Sequence, residues 1–301
     1  MQDGFAMNIT PLFTVVVPVM GDKDGLLSSL QSVLAQTVSD FEVLVITPDG
    51  KTADSVEKTV ASAITDPRLE WVTKVESQQA MRDVVLRRAR GKLIAMLPCG
   101  DILLQDHLER FAHLFARPKV QWACSRPIWA RDDGLLVPFF GNLKFGSAAL
   151  HFRRGCFVPT GAVVYRRSLL DAVGGWPSQP AANADWALWQ RMFKDLAADA
   201  VAHLRDPTLL HFRPNNRPLS QWAPRPMPYL AALADSGEFW PAALRLRLKP
   251  VGRAGPAPDQ AWARMQEDPA RFCRRVRKAT AELQDEIAWT AVTSQPFFKA
   301  V

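Results

Sequence analysis

Apolar runs too short to be independent helices, alternating with longer amphipathic stretches, set the first constraint on this chain. Phe13 to Val19, Phe41 to Ile46 and Leu93 to Leu97 are such runs, and each stops at a turn signal: Pro18, Thr47-Pro48-Asp49-Gly50 and Pro98-Cys99-Gly100-Asp101. Short, β-branched runs of this kind read as strands buried on both faces. Asp22 to Gln36 reads as a helix with Leu26, Leu27, Leu30, Val33 and Leu34 on its apolar face, and Asp24 can cap it. Ala53 to Ile64 is a second helical stretch, and Leu69 to Val72 a further strand. Strands alternating with helices imply βαβ units and a mostly parallel sheet.

Glu76 to Leu108 compresses the same pattern into helix, turn, buried strand and sharp loop. Arg82 and Asp83 start its amphipathic run, and Gly91 stops it. Asp101 follows the strand at its carboxyl end, where open α/β sheets place ligands. A carboxylate there either faces a bound phosphate–metal unit or caps a helix beginning between Ile102 and Asp106. Beyond Asp106 a helix turns Leu108, Phe111 and Leu114 inward, and Val120 to Ser125 is another strand. Ile128 to Leu150 is either a hairpin or a loop. Gly161 to Tyr165 reads as a strand, Ser168 caps a helical turn that ends at Gly174-Gly175-Trp176-Pro177, and Ala184 to Leu196 is helical.

The proline-rich stretch from Arg213 to Pro228 marks a boundary. Asp259 to Ile287 then places Trp262, Met265, Phe272, Val276, Leu283 and Ile287 near one helical face, with Arg264, Arg271, Arg274, Arg275 and Lys278 mostly elsewhere. Such a helix either packs on its own domain or makes a peripheral contact with an anionic membrane.

The chain has 301 residues and a formal net charge of +7. Excess basic charge attracts any polyanion without choosing among them. Nucleic acid is excluded as partner because neither a groove-reading motif nor an RNP-like aromatic strand is present. Cys99, Cys124, Cys156 and Cys273 have no CxxC spacing and read as free thiols rather than zinc ligands. No GxGxxG follows the first strand, which argues against a Rossmann oxidoreductase. Lacking a signal-peptide pattern and any run long enough to span a bilayer, the chain is expected in the cytoplasm, resting at most on the inner face of a membrane.

In this order the pieces resemble the family 2 glycosyltransferases with the GT-A fold. The resemblance is carried by Val15-Val16-Val17-Pro18-Val19, by Leu30 to Thr37, by Phe41 to Ile46 with Asp49-Gly50 and Asp54, and by Arg82-Asp83 through Ala95. Gly161, Tyr165-Arg166-Arg167-Ser168, Gly174-Gly175-Trp176 and Asp185-Trp186 to Leu188-Trp189 resemble its acceptor half. It implies an α/β, Rossmann-like, mostly parallel sheet flanked by helices over residues 1–220, with a helical extension over 221–301.

It also implies inverting transfer of a sugar from a nucleotide diphosphate, UDP-linked, to a saccharide or lipid-linked acceptor hydroxyl. In that scheme Pro18 and Val19 set backbone against the nucleotide, Asp49 and Arg82 hold its base or ribose, and Asp83 and Gly100 line the same site. Asp185 is the general base, against the alternative that it caps the helix from Trp186. Asp101 is a ligand for Mn2+ or Mg2+, and in the late loop either His211 is a further metal ligand or Arg213 occupies that place and neutralises diphosphate charge. The chain departs from the family at two places. Pro98, Cys99 and Gly100 stand where an Asp-x-Asp cluster is expected, and Ala184 replaces an acidic residue. These departures sustain a second reading, a catalytically impaired relative serving as a nucleotide-sugar- or glycan-binding partner subunit.

Overall fold

A computed structural model describes residues 10–19, 25–48, 58, 60, 62–130, 135–138, 158–177, 184–212, 246–247 and 258–281. One half of its sheet is parallel, in the order β3-β2-β1-β4: β1 is Phe13–Pro18, β2 Phe41–Pro48, β3 Leu69–Val75 and β4 Leu93–Met96. Phe13, Val15, Val16 and Val17 are all fully buried, as a central strand covered on both faces requires. The sheet continues past β4 with β5 (Ile102–Leu103), β6 (Trp122–Ala130), β7 (Leu135–Pro138), β8 (Val163–Arg166), β9 (Val201–Phe212) and β10 (Leu246–Arg247). Here β8 lies antiparallel between β4 and β6, and β9 runs parallel to β6 and antiparallel to β5.

Helix α1 (Leu26–Leu34) starts later than the sequence pattern implies. Its N-cap position is Gly25, at φ 81° and without a side-chain cap, so Asp24 does not occupy that position. A Cβ on Gly25 would lie 2.6 Å from Cβ of Pro258, so this glycine answers a close approach as well as a left-handed backbone. Helix α2 (Gln78–Arg88) starts earlier: Ser77 caps it by accepting from the Ala80 amide at 3.1 Å. Arg82 and Asp83 therefore sit inside the helix, not at its start. No helix opens at Ile102. That residue and Leu103 pair with Leu210 and Leu209, and α3 (His107–Phe115) begins later, so Asp101 is not a helix cap. Thr160–Ala162 form a 3-10 turn ahead of β8, and α4 (Arg167–Ala172) takes Arg166, not Ser168, as its N-cap residue. Helix α5 (Ala184–Phe193) precedes β9.

At the amino ends of the parallel strands a buried carboxylate fixes the register. Glu42, 5% exposed, accepts from Thr14 Oγ1 and from the Arg90 amide, each at 2.6 Å, and the Gly91 amide donates to Thr14 Oγ1 at 2.8 Å. Gly91 crosses β1 so closely that an added Cβ would be 2.2 Å from the Thr14 nitrogen.

The late helical stretch is two helices, α6 (Pro258–Glu267) and α7 (Pro269–Ala281), because Pro269 lacks an N–H and starts a new helix instead of continuing the old one. Both pack on the domain. Ala261, Met265, Cys273 and Val276 bury against Ile102, Leu104, Leu210 and Phe212 in a core separate from the main one. Arg277 pairs with Asp106 at 2.5 Å. The apolar face of α7 is thus covered by its own domain, while Arg271, Arg274, Arg275 and Lys278 face outward. Among the described residues no helix is long and apolar enough to cross a membrane. Among the described residues Cys99, Cys124 and Cys273 form no disulfide with one another; Cys156 lies outside the described residues.

His107, at the head of α3, is 1% exposed and bonded through Nδ1 to Thr208 Oγ1 at 2.9 Å. Burial holds its pKa down at about 4, against the opposing pulls of the Thr208 carbonyl and the Asp106 charge. The unfolded imidazole takes a proton below about 6.5, while the folded one refuses it until about 4. The unfolded state therefore binds more protons in that window, and stability falls as pH falls through it, by on the order of 3 kcal/mol. Urea unfolding between pH 7 and 4 is expected to show this loss, and His107→Gln to flatten it.

Candidate active site

The carboxyl ends of the parallel strands converge on the loop Pro98–Asp101, and α1 holds that loop from below. Ser29 Oγ accepts from the Gly100 amide at 2.9 Å and donates to the Asp101 carbonyl at 2.8 Å. One turn on, Ser32 Oγ accepts from the Leu103 amide at 3.1 Å. Gln36 donates to the Leu104 carbonyl and accepts from the Leu108 amide, both at 2.9 Å. Buried Ser29 and Ser32 on α1, with buried Gln36 just past its C-cap, thus satisfy backbone groups that have no strand partner at these points. Gly100 itself sits at φ 96°, a conformation that favours glycine.

Asp101 is 1% exposed, yet both its oxygens have donors. Nδ1 of His211 lies 3.0 and 2.9 Å from them, and the Phe212 amide donates to Oδ1 at 3.0 Å. The β4 loop is therefore clamped to the end of β9. Asp101 and His211, expected together, are in direct contact. Among the described residues no group of three or more His, Cys, Asp and Glu side chains is placed to hold a metal ion. The pair still offers oxygen and imidazole donors of the kind Mn2+ accepts, and a substrate diphosphate brings further oxygens. The donor set therefore fits an ion completed by substrate, not a preformed protein cage.

Asp185 lies in the first turn of α5. Its Oδ1 accepts from Trp176 Nε1 at 2.7 Å and its Oδ2 from Thr160 Oγ1 at 3.1 Å, so its described partners are side chains rather than amides of its own helix. The residue after Thr160, Gly161, lies against the other carboxylate: a Cβ there would be 3.3 Å from Asp101 Oδ2. The two expected carboxylates therefore flank one dipeptide, Thr160–Gly161. Tyr165 is buried close by, and burial, then the Asp185 charge, pushes its phenol well above its ordinary pKa. It remains a neutral hydroxyl.

The other expected residues divide. Val19 is at this end of the sheet, but its amide is already bonded to the Ile46 carbonyl at 2.9 Å and is not a donor to a ligand. Arg82 is half-buried on α2, without an ion-pair partner among the described residues, and Asp83 accepts from Gln79 Nε2 at 3.1 Å. Asp49 and Arg213 lie outside the described residues. A cavity of about 290 Å³ opens at the opposite end of the strands, lined by Phe41, Arg68 and Arg90 among others, away from Asp101 and Asp185. Sequence reasoning missed Ser29, Thr160 and the hydrogen-bonding role of Trp176. The Gly174-Gly175-Trp176 motif was the available signal for the last.

This architecture is that of the GT-A glycosyltransferases. TarS of S. aureus, solved in complex with UDP, superposes with a TM-score of 0.52 at 16% identity, over 67% of this chain and 60% of that one. A mannosyltransferase from Pyrobaculum calidifontis, solved with GDP-Man and Mn2+, gives 0.53 at 15% identity, over 97% of this chain and 79% of that one. Residues 11–211 match the family described as "Glycosyltransferase like family 2", and the chain belongs to it. An uncharacterized glycosyltransferase of Rickettsia conorii is 33% identical over 97 residues, 32% of this chain but only 16% of that protein's length. The UDP-Glc:alpha-D-GlcNAc-diphosphoundecaprenol beta-1,3-glucosyltransferase WfgD of Escherichia coli is 24% identical over 193 residues, 63% of this chain and 73% of that protein.

Proposed function

We propose that the protein moves a sugar from a UDP-linked donor to a hydroxyl of a lipid-linked saccharide, with inversion at the anomeric carbon. The observation that carries this reading is the pairing of Asp185 and Asp101 across the Thr160–Gly161 turn. The choice of uridine and of a lipid-linked acceptor is supported by the activity of the Escherichia coli relative, and uridine by the UDP complex of TarS.

In the reaction the acceptor oxygen attacks the anomeric carbon as its proton passes to an Asp185 oxygen. The bond from that carbon to the donor phosphate breaks, and its electron pair leaves on UDP. A single displacement of this kind inverts the centre. Pro18, Val19, Asp49, Arg82, Asp83 and Gly100 form the nucleotide cradle, and Arg213 offsets the charge of the departing diphosphate. Asp101 and His211 are the protein's ligands for Mn2+ or Mg2+, which when bound supplies charge neutralisation to the diphosphate. Residues 1–220 carry this chemistry, and α6 and α7 of the extension 221–301 brace the β5–β9 edge of the site.

Two experiments test the reading. Asp185→Asn is expected to lower kcat by about 10²- to 10⁴-fold while leaving UDP affinity unchanged. Undiminished turnover would remove Asp185 as base, and a wild-type protein that binds UDP without turning over any donor would be the binding subunit instead. For the metal, UDP affinity measured by calorimetry is expected to tighten at least ~10-fold with Mn2+ in the wild type and to lose that response in His211→Ala. An equal response in both proteins would place the ion elsewhere.

A further inference from the structure

We propose that Thr160 and Trp176 are positioning residues that aim the Asp185 carboxylate at the acceptor. The inference rests on the reading of Asp185 as general base and extends it to residues with no assigned role.

A carboxylate on a helix's first turn can rotate about two side-chain bonds, and a base that rotates spends little time aimed at its proton. Here each oxygen is held from a different direction: Trp176 Nε1 donates to Oδ1 at 2.7 Å, and Thr160 Oγ1 to Oδ2 at 3.1 Å. Two donors on two oxygens fix the plane of the group, and each oxygen keeps a second lone pair. The indole N–H is donor only, so it steadies the carboxylate without competing for the acceptor's proton.

Both donors are themselves anchored. Trp176 is 4% exposed and follows Gly174 and Gly175, at φ 68° and 74°. Gly175 presses on α2 so closely that a Cβ would meet Leu86 Cδ1 at 2.6 Å. From α5 itself, Arg191 Nη1 donates to the Gly175 carbonyl at 3.1 Å, and its Nη2 bonds the Val173 carbonyl. The helix bearing the base therefore grips the glycine turn through Arg191, and the turn grips the base through Trp176. On the other side Thr160 belongs to the 3-10 turn whose Gly161 lies against Asp101. The base is thereby referenced to the donor loop, which an isolated helix start would not achieve.

The test is steady-state kinetics of the full chain for Thr160→Val, Thr160→Ser, Trp176→Phe, Asp185→Asn and the double variant Thr160→Val/Asp185→Asn. Thr160→Val and Trp176→Phe are expected to lower kcat by about 10- to 100-fold with donor KM within about twofold of wild type. Thr160→Ser keeps the hydroxyl and is expected to restore kcat to within about threefold. The double variant is expected to be no slower than Asp185→Asn alone, because there is no base left to aim. Wild-type kcat in Thr160→Val, beside a slow Asp185→Asn, would overturn the positioning role and leave the base intact. Undiminished turnover in Asp185→Asn would overturn the base reading itself. Equal losses in Thr160→Ser and Thr160→Val, or a further loss in the double variant, would reduce Thr160 to a packing residue. Should Trp176→Phe fold poorly, the threonine series still decides.

Discussion

A carboxylate taken out of water is costly unless its oxygens are satisfied where they lie. Asp101 meets that condition through His211 and the Phe212 amide, and the architecture around it depends on those bonds. They close the loop after β4 onto the last strand of the family domain. Ser29 seizes the same residue's carbonyl from α1, so one position ties together α1, β4 and β9. Ile102 and Leu210, paired immediately beyond, then open the second core on which α6 and α7 rest. Removing one partner of such a buried contact leaves an orphaned polar group, whose cost is about 1–3 kcal/mol or more for a charge.

The site follows from this clamp. Because Asp101 is fixed, the turn at Thr160–Gly161 has a fixed wall to lie on, and no side chain at residue 161 intrudes between them. Thr160 carries the position across to Asp185. What the fold delivers is a set of rigid references linking two chemically different carboxylates. One is buried and bonded to a histidine; the other is held by two neutral donors. In the proposed reaction the first holds the loop and its ligands, and the second accepts the proton.

Much of this was legible in the residues. The strands β1, β2 and β4 were readable because a strand buried on both faces leaves an unbroken apolar run. The order of motifs was enough to anticipate the family, and the adjacency of Asp101 and His211 came with it. Ile102–Leu103 escaped detection because two residues form no period, and their strand character comes only from Leu209 and Leu210 across the gap. The set Ser29, Ser32 and Gln36 escaped for a different reason. Hydrophobic periodicity cannot distinguish polar residues facing water from polar residues satisfying a buried loop. The bond from Trp176 to Asp185 likewise depends on how a glycine turn folds back on a helix, which spacing alone does not encode. Asp49 and Arg213 lie outside the described residues, so their expected roles rest on the resemblance.

The central claim is that nucleotide and acceptor meet between the Asp101 loop and the start of α5. A crystal structure with intact UDP-sugar tests it most directly. The account predicts the diphosphate beside Gly100 and Asp101, with the anomeric carbon facing Asp185. A nucleotide seated instead at the far end of the strands, in the cavity lined by Phe41, Arg68 and Arg90, would contradict it.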